Sequence, residues 1–318
     1  MDGHNSDIIV IGAGMAGLTC ATRLSEAGHT VRVLDKGRGP GGRMAARRAE
    51  VSGEPVSFDH GAQYFTARND GFQAAVDQWA RADAVAKWPA AGNDAWVGLP
   101  NMNGPIRIMA DPLGVRWSTR AESIARNDDG WSITTDKGDF TAKIVLVAVP
   151  AEQAAELLHD TAPGLADVAN GVVSEPCWAV MAAFEEALDI PEDTVRGEDT
   201  AISWAARNSA KPGRFGKECW VIHASPSRSR EIIDLPREEV GEVLLADFFD
   251  QTGAEQRKAI HVAAHRWLYA MPSAASGDPS RFDRDARIGI AGDYLHSPRV
   301  EGAWISGNAL AEEVLKSR

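Results

Sequence analysis

Three glycines that follow a β-branched run are the first residues that could do chemistry. Gly12, Gly14 and Gly17 form the pattern GxGxxG, and Asp35 follows at the end of the next apolar run. In this pattern the first glycine permits a tight turn, the second lets the backbone approach a pyrophosphate, and the third allows close packing of helix on strand. The helix N-terminus favours phosphate, and the acid can accept hydrogen bonds from ribose hydroxyls. The spacing therefore predicts a dinucleotide site.

A second glycine-rich loop follows the acid. Gly41 and Gly42 precede Arg43, whose guanidinium could read phosphate oxygens in pairs and so form a second clamp on the pyrophosphate. A solvated loop would explain the same residues equally well. A further GxGxxG match in this loop is accidental, because Pro40 forbids a helix that starts inside it.

The end of the chain favours FAD over NAD as the dinucleotide. The strand-like IGIAGDYL places Asp293 where it could bind ribityl hydroxyls, and VEGAWISG starts a helix near Gly302. The positive end of that helix could stabilise the anionic reduced flavin ring at its pyrimidine edge. An NAD dehydrogenase does not need a second cofactor-binding segment so far along the chain.

Elements with suitable spacing surround these residues. Segments 7–11, 15–27 and 31–34 read as a β-α-β unit, and the helix ends at Gly28. Segment 72–88 reads as an amphipathic helix. Strands are predicted over 115–118, 123–125, 131–135 and 143–149, then over 177–184, 219–224, 261–269 and 287–291, with helices over 151–158, 237–251 and 302–315.

This order predicts an α/β fold in which a Rossmann-type FAD-binding domain is interleaved with an α+β substrate domain. The predicted FAD-binding domain comprises 1–68, 100–150 and 283–318, and the substrate domain comprises 69–99 and 151–282.

The composition and net charge limit the kinds of partner that the chain could bind. The chain has 318 residues, 44% of them hydrophobic, and a net charge of −12, which would repel nucleic acids and anionic membranes. Its three cysteines are too far apart for a disulfide framework, a CxxC pair or a zinc site, so no metal is predicted. The N-terminal MDGHNSD has no basic-then-apolar leader, and we expect a cytoplasmic protein. The oligomeric state is not predicted.

Six stretches resemble motifs of a known family, in the same order along the chain. IGAGMAGL and DKGRGPGGRM are similar to motifs of the flavin amine oxidase superfamily, whereas FDHGAQYFTAR, WAARNSAKP, HRWLYA and GDYLHSPRVEGAWISG resemble the bacterial renalase-like proteins within it. The resemblance implies a flavin amine oxidase-like fold with an antiparallel sheet in the substrate domain. It also implies noncovalent FAD, hydride transfer from substrate to flavin, and reoxidation by O2 to give H2O2. The substrates of characterised renalases are aberrant dihydro isomers of NAD(P).

Two departures separate the chain from other members of the superfamily. Covalent amine oxidases have a cysteine in the closing motif, and LHSPRVEGA has none. Many amine oxidases also have a lysine on a core strand of the substrate domain, and the corresponding CWAVMAAF has none. Both departures favour a renalase-like oxidase of dihydro-NAD(P). An amine oxidase or desaturase, and a non-catalytic FAD-binding or redox-sensing protein, stay as alternatives.

Flavin chemistry asks mainly for orientation and a dry site, so the candidate residues are those that shape the pocket. We expect Gln63 and Tyr64 near the flavin ring, with Gly61 and Ala62 small enough to admit it, although Tyr64 could be a core aromatic. The expected cofactor contacts are Gly12, Ala13, Gly14, Met15, Ala16, Asp35, Lys36, Gly42, Arg43, Met44, Gly61, Ala62, Gln63, Ala121, Gly292, Asp293, Glu301, Gly302 and Ala303.

The expected substrate contacts lie on the second domain. Trp204, Trp267 and Tyr269 could wall the flavin, and His223 or His265 could bind a substrate carboxamide, although strand histidines are often structural. A basic loop carries four cations that could hold a substrate pyrophosphate or could be solvated: Arg207, Lys211, Arg214 and Lys217. The predicted partners are a small dinucleotide substrate and O2.

Overall fold

The computed structural model describes residues 5–273 and 277–317. The helices are α1 (Met15–Glu26), α2 (Asp70–Arg81), α3 (Gly104–Ala110), α4 (Ala151–Leu158), α5 (Pro163–Asn170), α6 (Pro226–Glu231), α7 (Arg237–Thr252) and α8 (Val300–Lys316). The strands are β1 (Asn5–Ile11), β2 (Val31–Leu34), β3 (Arg47–Val51), β4 (Glu54–Phe58), β5 (Phe65–Thr66), β6 (Val85–Lys87), β7 (Ala95–Gly98), β8 (Ala121–Asn127), β9 (Gly130–Thr135), β10 (Gly138–Val147), β11 (Ser174–Phe184), β12 (Thr194–Arg196), β13 (Ile202–Arg207), β14 (Glu218–Ala224), β15 (His261–Pro272), β16 (Ser280–Asp283) and β17 (Ile288–Ala291).

A seven-stranded sheet forms the first half of the molecule. Its order is β16-β17-β10-β1-β2, and β9 and β8 extend it from β10. Strand β1 runs parallel to both β2 and β10, and β10 runs parallel to β17, so the carboxyl ends of these four strands meet at one edge. Helices α1 and α8 pack against each other on one face. The predicted α/β fold and its β-α-β unit are confirmed.

A five-stranded antiparallel sheet forms the second half, in the order β12-β13-β14-β11-β15. Helix α7 buries Val240, Leu244 and Phe248 on one face of this sheet. The β3–β4 hairpin buries Val56 and Phe58 on the other face. The face beneath the hairpin is therefore the one that meets the first half of the molecule.

Three regions of the chain differ from the sequence prediction. Helix α2 ends at Arg81 rather than at 88, because the backbone reverses at Asp83 (φ +53°) and 85–87 become β6, which pairs with β7. Segment 115–118 is not a strand; it makes one bridge, between Leu34 and Arg116. Helices α4 and α5, assigned by sequence to the substrate domain, pack on the seven-stranded sheet.

Within the part of the chain that the structure describes, no helix has both the length and the apolar character needed to span a membrane.

Candidate active site

The glycine turn between β1 and α1 has the geometry that a phosphate requires. Gly12 has φ +108°, and a Cβ added there would lie 2.4 Å from the carbonyl oxygen of Ala148. A Cβ on Gly17 would lie 1.9 Å from the carbonyl oxygen of Gly12. By contrast, a Cβ on Gly14 would meet no atom within 4 Å, and no side chain caps the start of α1. Open space thus lies before a helix N-terminus, which fits a cofactor phosphate.

The acid at the end of β2 ties this turn to its neighbours. The carboxylate of Asp35 accepts hydrogen bonds from the backbone N–H groups of Ala13 and Gly37, each at 2.6 Å. Its own carbonyl accepts from the amide of Thr119, two residues before Ala121. Lys36 donates to Gln153 at 2.7 Å. Asp35 and Ala121 therefore lie in the same region beside the turn.

The second glycine loop closes on the first. A Cβ on Gly42 would lie 3.6 Å from the Cα of Gly14, and Met44 is buried in the adjoining core. The guanidinium of Arg43 forms two hydrogen bonds with the carboxylate of Asp293, at 2.5 and 2.8 Å. Arg43 and Asp293, expected to contact different parts of the cofactor, therefore meet each other; their contacts with FAD stay predictions.

Helix α8 begins beside the edge of the seven-stranded sheet where the carboxyl ends of its parallel strands meet. A Cβ on Gly302 would lie 2.1 Å from the carbonyl oxygen of Ser297, so the chain turns into α8 in close contact, and Ala303 is buried behind it. The Glu301 carboxylate, however, accepts hydrogen bonds from the amides of Arg68 and Asn69 at 2.6 and 2.7 Å. The structure thus places Glu301 as an anchor for the segment before α2, and its contact with the cofactor stays a prediction.

Four residues form a row across the second sheet on the face beneath the β3–β4 hairpin. Trp204 pairs with His223, His223 with Ala179, and Ala179 with His265 on four successive strands. Directly opposite residues share a face of a sheet. The structure therefore brings together three residues that the sequence singled out separately, with a small alanine between the two histidines.

Residues 59–64, the segment DHGAQY, lie between this row and the cofactor loops. A Cβ on Gly61 would lie 2.1 Å from the carbonyl oxygen of Arg43, and the amide of Ala62 donates to that same oxygen at 2.8 Å. The carbonyl oxygen of His60 lies 2.8 Å from Nε1 of Trp267, which donates to it, and 3.2 Å from Nε2 of His223. The segment thus joins the two halves of the molecule.

Three imidazoles gather at this junction, and they are neutral at pH 7. The His60 ring stacks on Trp267 at 5.2 Å between centroids and meets the His265 ring edge-on at 4.9 Å. Burial lowers the pKa of His60, His223 and His265 to about 4 each, with neighbouring cations as lesser causes. His60 was not among the predicted site residues, although it directly precedes Gly61 in the sequence FDHG.

A buried ion cluster contacts residues 59–64 through Asp59 and Gln63. The fully buried carboxylate of Asp59 pairs with Arg214 and, at 3.3 Å, with Lys211. Burial alone would raise the pKa of Asp59, but these two cations outweigh it and lower that pKa. Burial lowers the pKa of Lys211 to about 8. Lys211 also donates to Oε1 of Gln63 at 3.0 Å, and the amide nitrogen of Gln63 bonds to the carbonyl of Asp59. The cluster fixes the orientation of the Gln63 amide.

The predicted basic patch for a substrate pyrophosphate does not form on the loop 207–217. Arg207 pairs with Trp220 in register on the opposite face of the sheet from Trp204. Its guanidinium forms ion pairs with Asp193 at 2.5 Å and Glu218 at 3.0 Å. Lys217 pairs with Glu185 at the surface. Strand alternation directs Arg207 away from the site. Lys211 and Arg214 share the carboxylate of Asp59, and Lys217 has its own partner in Glu185.

One side of the junction is aromatic. The rings of Tyr64 and Trp204 lie 5.2 Å apart, and the guanidinium of Arg196 lies over Trp204 at 4.4 Å. Arg196 also donates to the carbonyl oxygen of Ala91 at 2.8 Å. No sequence pattern singled out Arg196. Tyr269 lies two residues beyond Trp267 on β15, next to Ala270, whose carbonyl accepts from Arg43.

Solved structures share the whole fold. A candidate protoporphyrinogen oxidase from Exiguobacterium sp. 255-15 superposes with a TM-score of 0.76 at 12% identity, over 100% of both chains. A redesigned putrescine oxidase superposes with a TM-score of 0.71 at 14% identity, over 99% of this chain and 100% of the other. At such identities the likeness shows the fold alone.

Two curated proteins match in sequence. One is a tRNA 5-methylaminomethyl-2-thiouridine biosynthesis bifunctional protein from Ralstonia nicotianae, 24% identical over 246 residues, which are 60% of this chain and 37% of that protein. The other is a hydroxyneurosporene desaturase from Rubrivivax gelatinosus, 46% identical over 61 residues, which are 19% of this chain and 11% of that protein. The matches thus span well under half the length of either relative.

Two family models account for most of the chain. Residues 10–79 match the NAD(P)-binding Rossmann-like domain, which contains the glycine turn and Asp35. Residues 90–315 match the flavin containing amine oxidoreductase model, well over half of the chain. The cofactor is accordingly FAD, and the protein belongs to the flavin-containing amine oxidoreductase family.

Proposed function

We propose that this protein is an FAD-dependent oxidase, resembling renalase, that oxidises aberrant dihydro isomers of NAD(P) to NAD(P)+ while O2 is reduced to H2O2. The observation that carries the proposal is the group of neutral imidazoles at the junction of the two halves, formed by His60, His223 and His265 around Trp267. Neutral imidazoles can hydrogen-bond an uncharged carboxamide, the polar group of a dihydronicotinamide ring.

The protein contributes orientation and exclusion of water, while bound FAD accepts the hydride. Gly61 leaves room beside Arg43 where a side chain would collide, and Trp267 offers an apolar surface next to it. The amide of Gln63 is held by Lys211 and by the carbonyl of Asp59, so it presents one fixed orientation. The residues at the junction thus favour a flat, uncharged, polar ring.

We infer that FAD is held without a covalent bond. The segment from Leu295 to Ala303 contains no cysteine. The free cysteines of the described residues lie elsewhere, two in the second sheet at Cys177 and Cys219 and one in α1 at Cys20. Denaturation should therefore release FAD into solution.

An amine oxidase or desaturase is the second candidate. The putrescine oxidase and the hydroxyneurosporene desaturase support it, as does the aromatic pair of Tyr64 and Trp204. Arg196 opposes it, because its guanidinium already covers the Trp204 ring that a substrate ammonium would need. A non-catalytic FAD-binding or redox-sensing protein is the third candidate.

Anaerobic mixing distinguishes the three candidates. The FAD-loaded protein would be mixed with NADH, with its 2- and 6-dihydro isomers and with a panel of amines, while the flavin absorbance is followed. Rapid bleaching by the dihydro isomers is expected. Bleaching by amines alone would establish the second candidate, and no bleaching by any compound would leave the non-catalytic one.

A further inference from the structure

The row of residues across the second sheet ends at an arginine on the outermost strand. Arg196 of β12 pairs in register with Trp204, so it lies on the same face of the sheet as Trp204, His223 and His265. Arg196 is exposed, and its guanidinium lies 4.4 Å from the centroid of the Trp204 ring. The outer end of the row is therefore a cation in direct contact with the candidate active site.

Within the described part of the chain, only uncharged oxygens hold this guanidinium. It donates to the carbonyl oxygen of Ala91 at 2.8 Å and contacts the hydroxyl of Tyr64 at 3.4 Å. None of the described carboxylates forms an ion pair with it. A guanidinium has five N–H donors, so Arg196 keeps donors and its full charge for a ligand. Because Ala91 and the Trp204 ring already hold the group in place, little further ordering is needed when a ligand binds.

We propose that Arg196 binds a phosphate group of the substrate, an inference that rests on the proposed oxidation of dihydro-NAD(P). Neighbouring strands are about 4.8 Å apart, so about 10 Å separates the backbone of Arg196 on β12 from that of His223 on β14. In a dinucleotide, a ribose separates the nicotinamide from the first phosphate. A nicotinamide hydrogen-bonded to His223 thus extends its ribose across Trp204 and its phosphate toward Arg196.

The other end of the row faces the cofactor loops. On β15, Trp267 donates to the carbonyl oxygen of His60, and a Cβ on the adjacent Gly61 would lie 2.1 Å from the carbonyl oxygen of Arg43. The β15 end of the row is therefore closed by the segment that joins the two halves of the molecule. The remainder of a substrate bound at the imidazoles has to extend toward β12.

Arg196 supplies the free cation that the basic loop does not. Arg207, Lys211 and Arg214 are each paired with buried or half-buried carboxylates. In a chain with a net charge of −12, an anionic substrate needs a local cation to offset long-range repulsion. A guanidinium meets this need, since it binds phosphate oxygens in pairs.

Binding of inorganic pyrophosphate to the FAD-loaded protein tests the site without turnover. Arg266 offers a matched control, because it is also exposed, lies over a tryptophan ring, that of Trp178, and donates to a carbonyl oxygen, that of Ile233, at 2.8 Å. Strand alternation places Arg266 on the opposite face of the sheet from His265.

Calorimetry would compare the wild type, Arg196→Gln and Arg266→Gln. We expect Arg196→Gln to weaken pyrophosphate binding by about tenfold and Arg266→Gln to leave it unchanged. Equal affinity in all three proteins, equal weakening in both variants, or no binding to the wild type would overturn the site.

The dihydro substrates connect the site to the reaction. Arg196→Gln should slow flavin bleaching by a dihydro dinucleotide at limiting concentration by about tenfold, and should not change bleaching by the corresponding dihydronicotinamide riboside, which has no phosphate. Equal slowing with both substrates would mean that Arg196 acts through Trp204 on the ring, and would overturn the inference while the proposed function stands. If Arg196-dependent pyrophosphate binding is found but no dihydro isomer bleaches the flavin, the proposed function fails and the anion site stands.

Discussion

The glycine turn at Gly12–Gly17 and the basic loop at 207–217 carry equally conspicuous sequence patterns, yet the structure treats them differently. In the turn, backbone atoms at 1.9 and 2.4 Å from any added Cβ impose glycine at positions 17 and 12. In the loop, Lys211 and Arg214 are buried against Asp59, a carboxylate distant in sequence, and Arg207 is half-buried against Asp193. A pattern set by backbone geometry thus specifies its own local structure, whereas the direction of a charged side chain depends on the surrounding fold.

The largest expected effect comes from removing Asp59, the anion that pairs with Lys211 and Arg214 of the basic loop. Asp59→Asn leaves Lys211 and Arg214 buried without a full counter-charge, and the free energy of unfolding should fall by about 3–5 kcal/mol. Urea denaturation measures the loss. Asp94→Asn, which removes an exposed partner of Arg68 at 3.6 Å, should cost less than about 1 kcal/mol. Similar losses in the two variants would mean that the buried cluster contributes no more than a surface pair.

Arg207→Ala tests whether the loop has any contact with substrate. Removing its hydrogen bonds to Asp193 and Glu218 should lower the free energy of unfolding by about 2 kcal/mol. The concentration of dihydro substrate that gives half-maximal bleaching should not change. An increase in that concentration without loss of stability would restore Arg207 as a substrate ligand.

Gly14→Ala separates cofactor binding from folding in the glycine turn. Because an added Cβ meets no protein atom, stability without FAD should change by no more than about 0.5 kcal/mol. The same methyl group occupies the space before the α1 N-terminus, and FAD affinity should fall by about tenfold or more. Fluorescence titration with FAD measures it. Gly28→Ala provides the control, since its φ of +88° makes alanine strained at the far end of α1; it should destabilise the fold without a specific loss of FAD affinity.

A further expected effect is on the pH dependence of stability. The pKa of His223 is about 4 in the fold, below its ordinary 6.5, so the unfolded chain binds more protons between these values. Its contribution to stability is complete above pH 6.5 and is lost as the pH falls through 4. The slope of the unfolding free energy against pH is proportional to the difference in bound protons between the unfolded and folded states. Near pH 5, His223→Asn should reduce that difference by up to about one proton. Replacement of the exposed His159 by Asn is the control, and an unchanged slope in His223→Asn would contradict the prediction.

Sequence patterns predicted the cofactor half well because its determinants are local. The β-α-β unit follows from apolar runs of the right length and from glycines at positions where the backbone leaves no room for a side chain. The row of Trp204, His223 and His265 was identified only as separate candidates, since its members lie on three strands and their register is a tertiary property.

The surroundings of three polar side chains could not be predicted from the sequence. Arg207 lies on the opposite face of β13 from Trp204 by strand alternation, and the sequence does not reveal which face meets the first half of the molecule. Glu301 meets Arg68 and Asn69 from across 232 residues or more. Arg196 reaches Tyr64 and Trp204 from a short edge strand with no motif of its own. Each outcome depends on which distant partner a polar side chain finds.

The contact between α1 and α8 has one further consequence. A Cβ on Gly307 would lie 2.1 Å from the carbonyl oxygen of Ala16, so the start of α1 touches the middle of α8 backbone to backbone. The two helix starts expected to face the phosphates and the flavin ring are thereby held at a constant separation. That separation must match the distance between the parts of the cofactor that the two helix starts face. A single methyl group at position 307 would push the helices apart and change it.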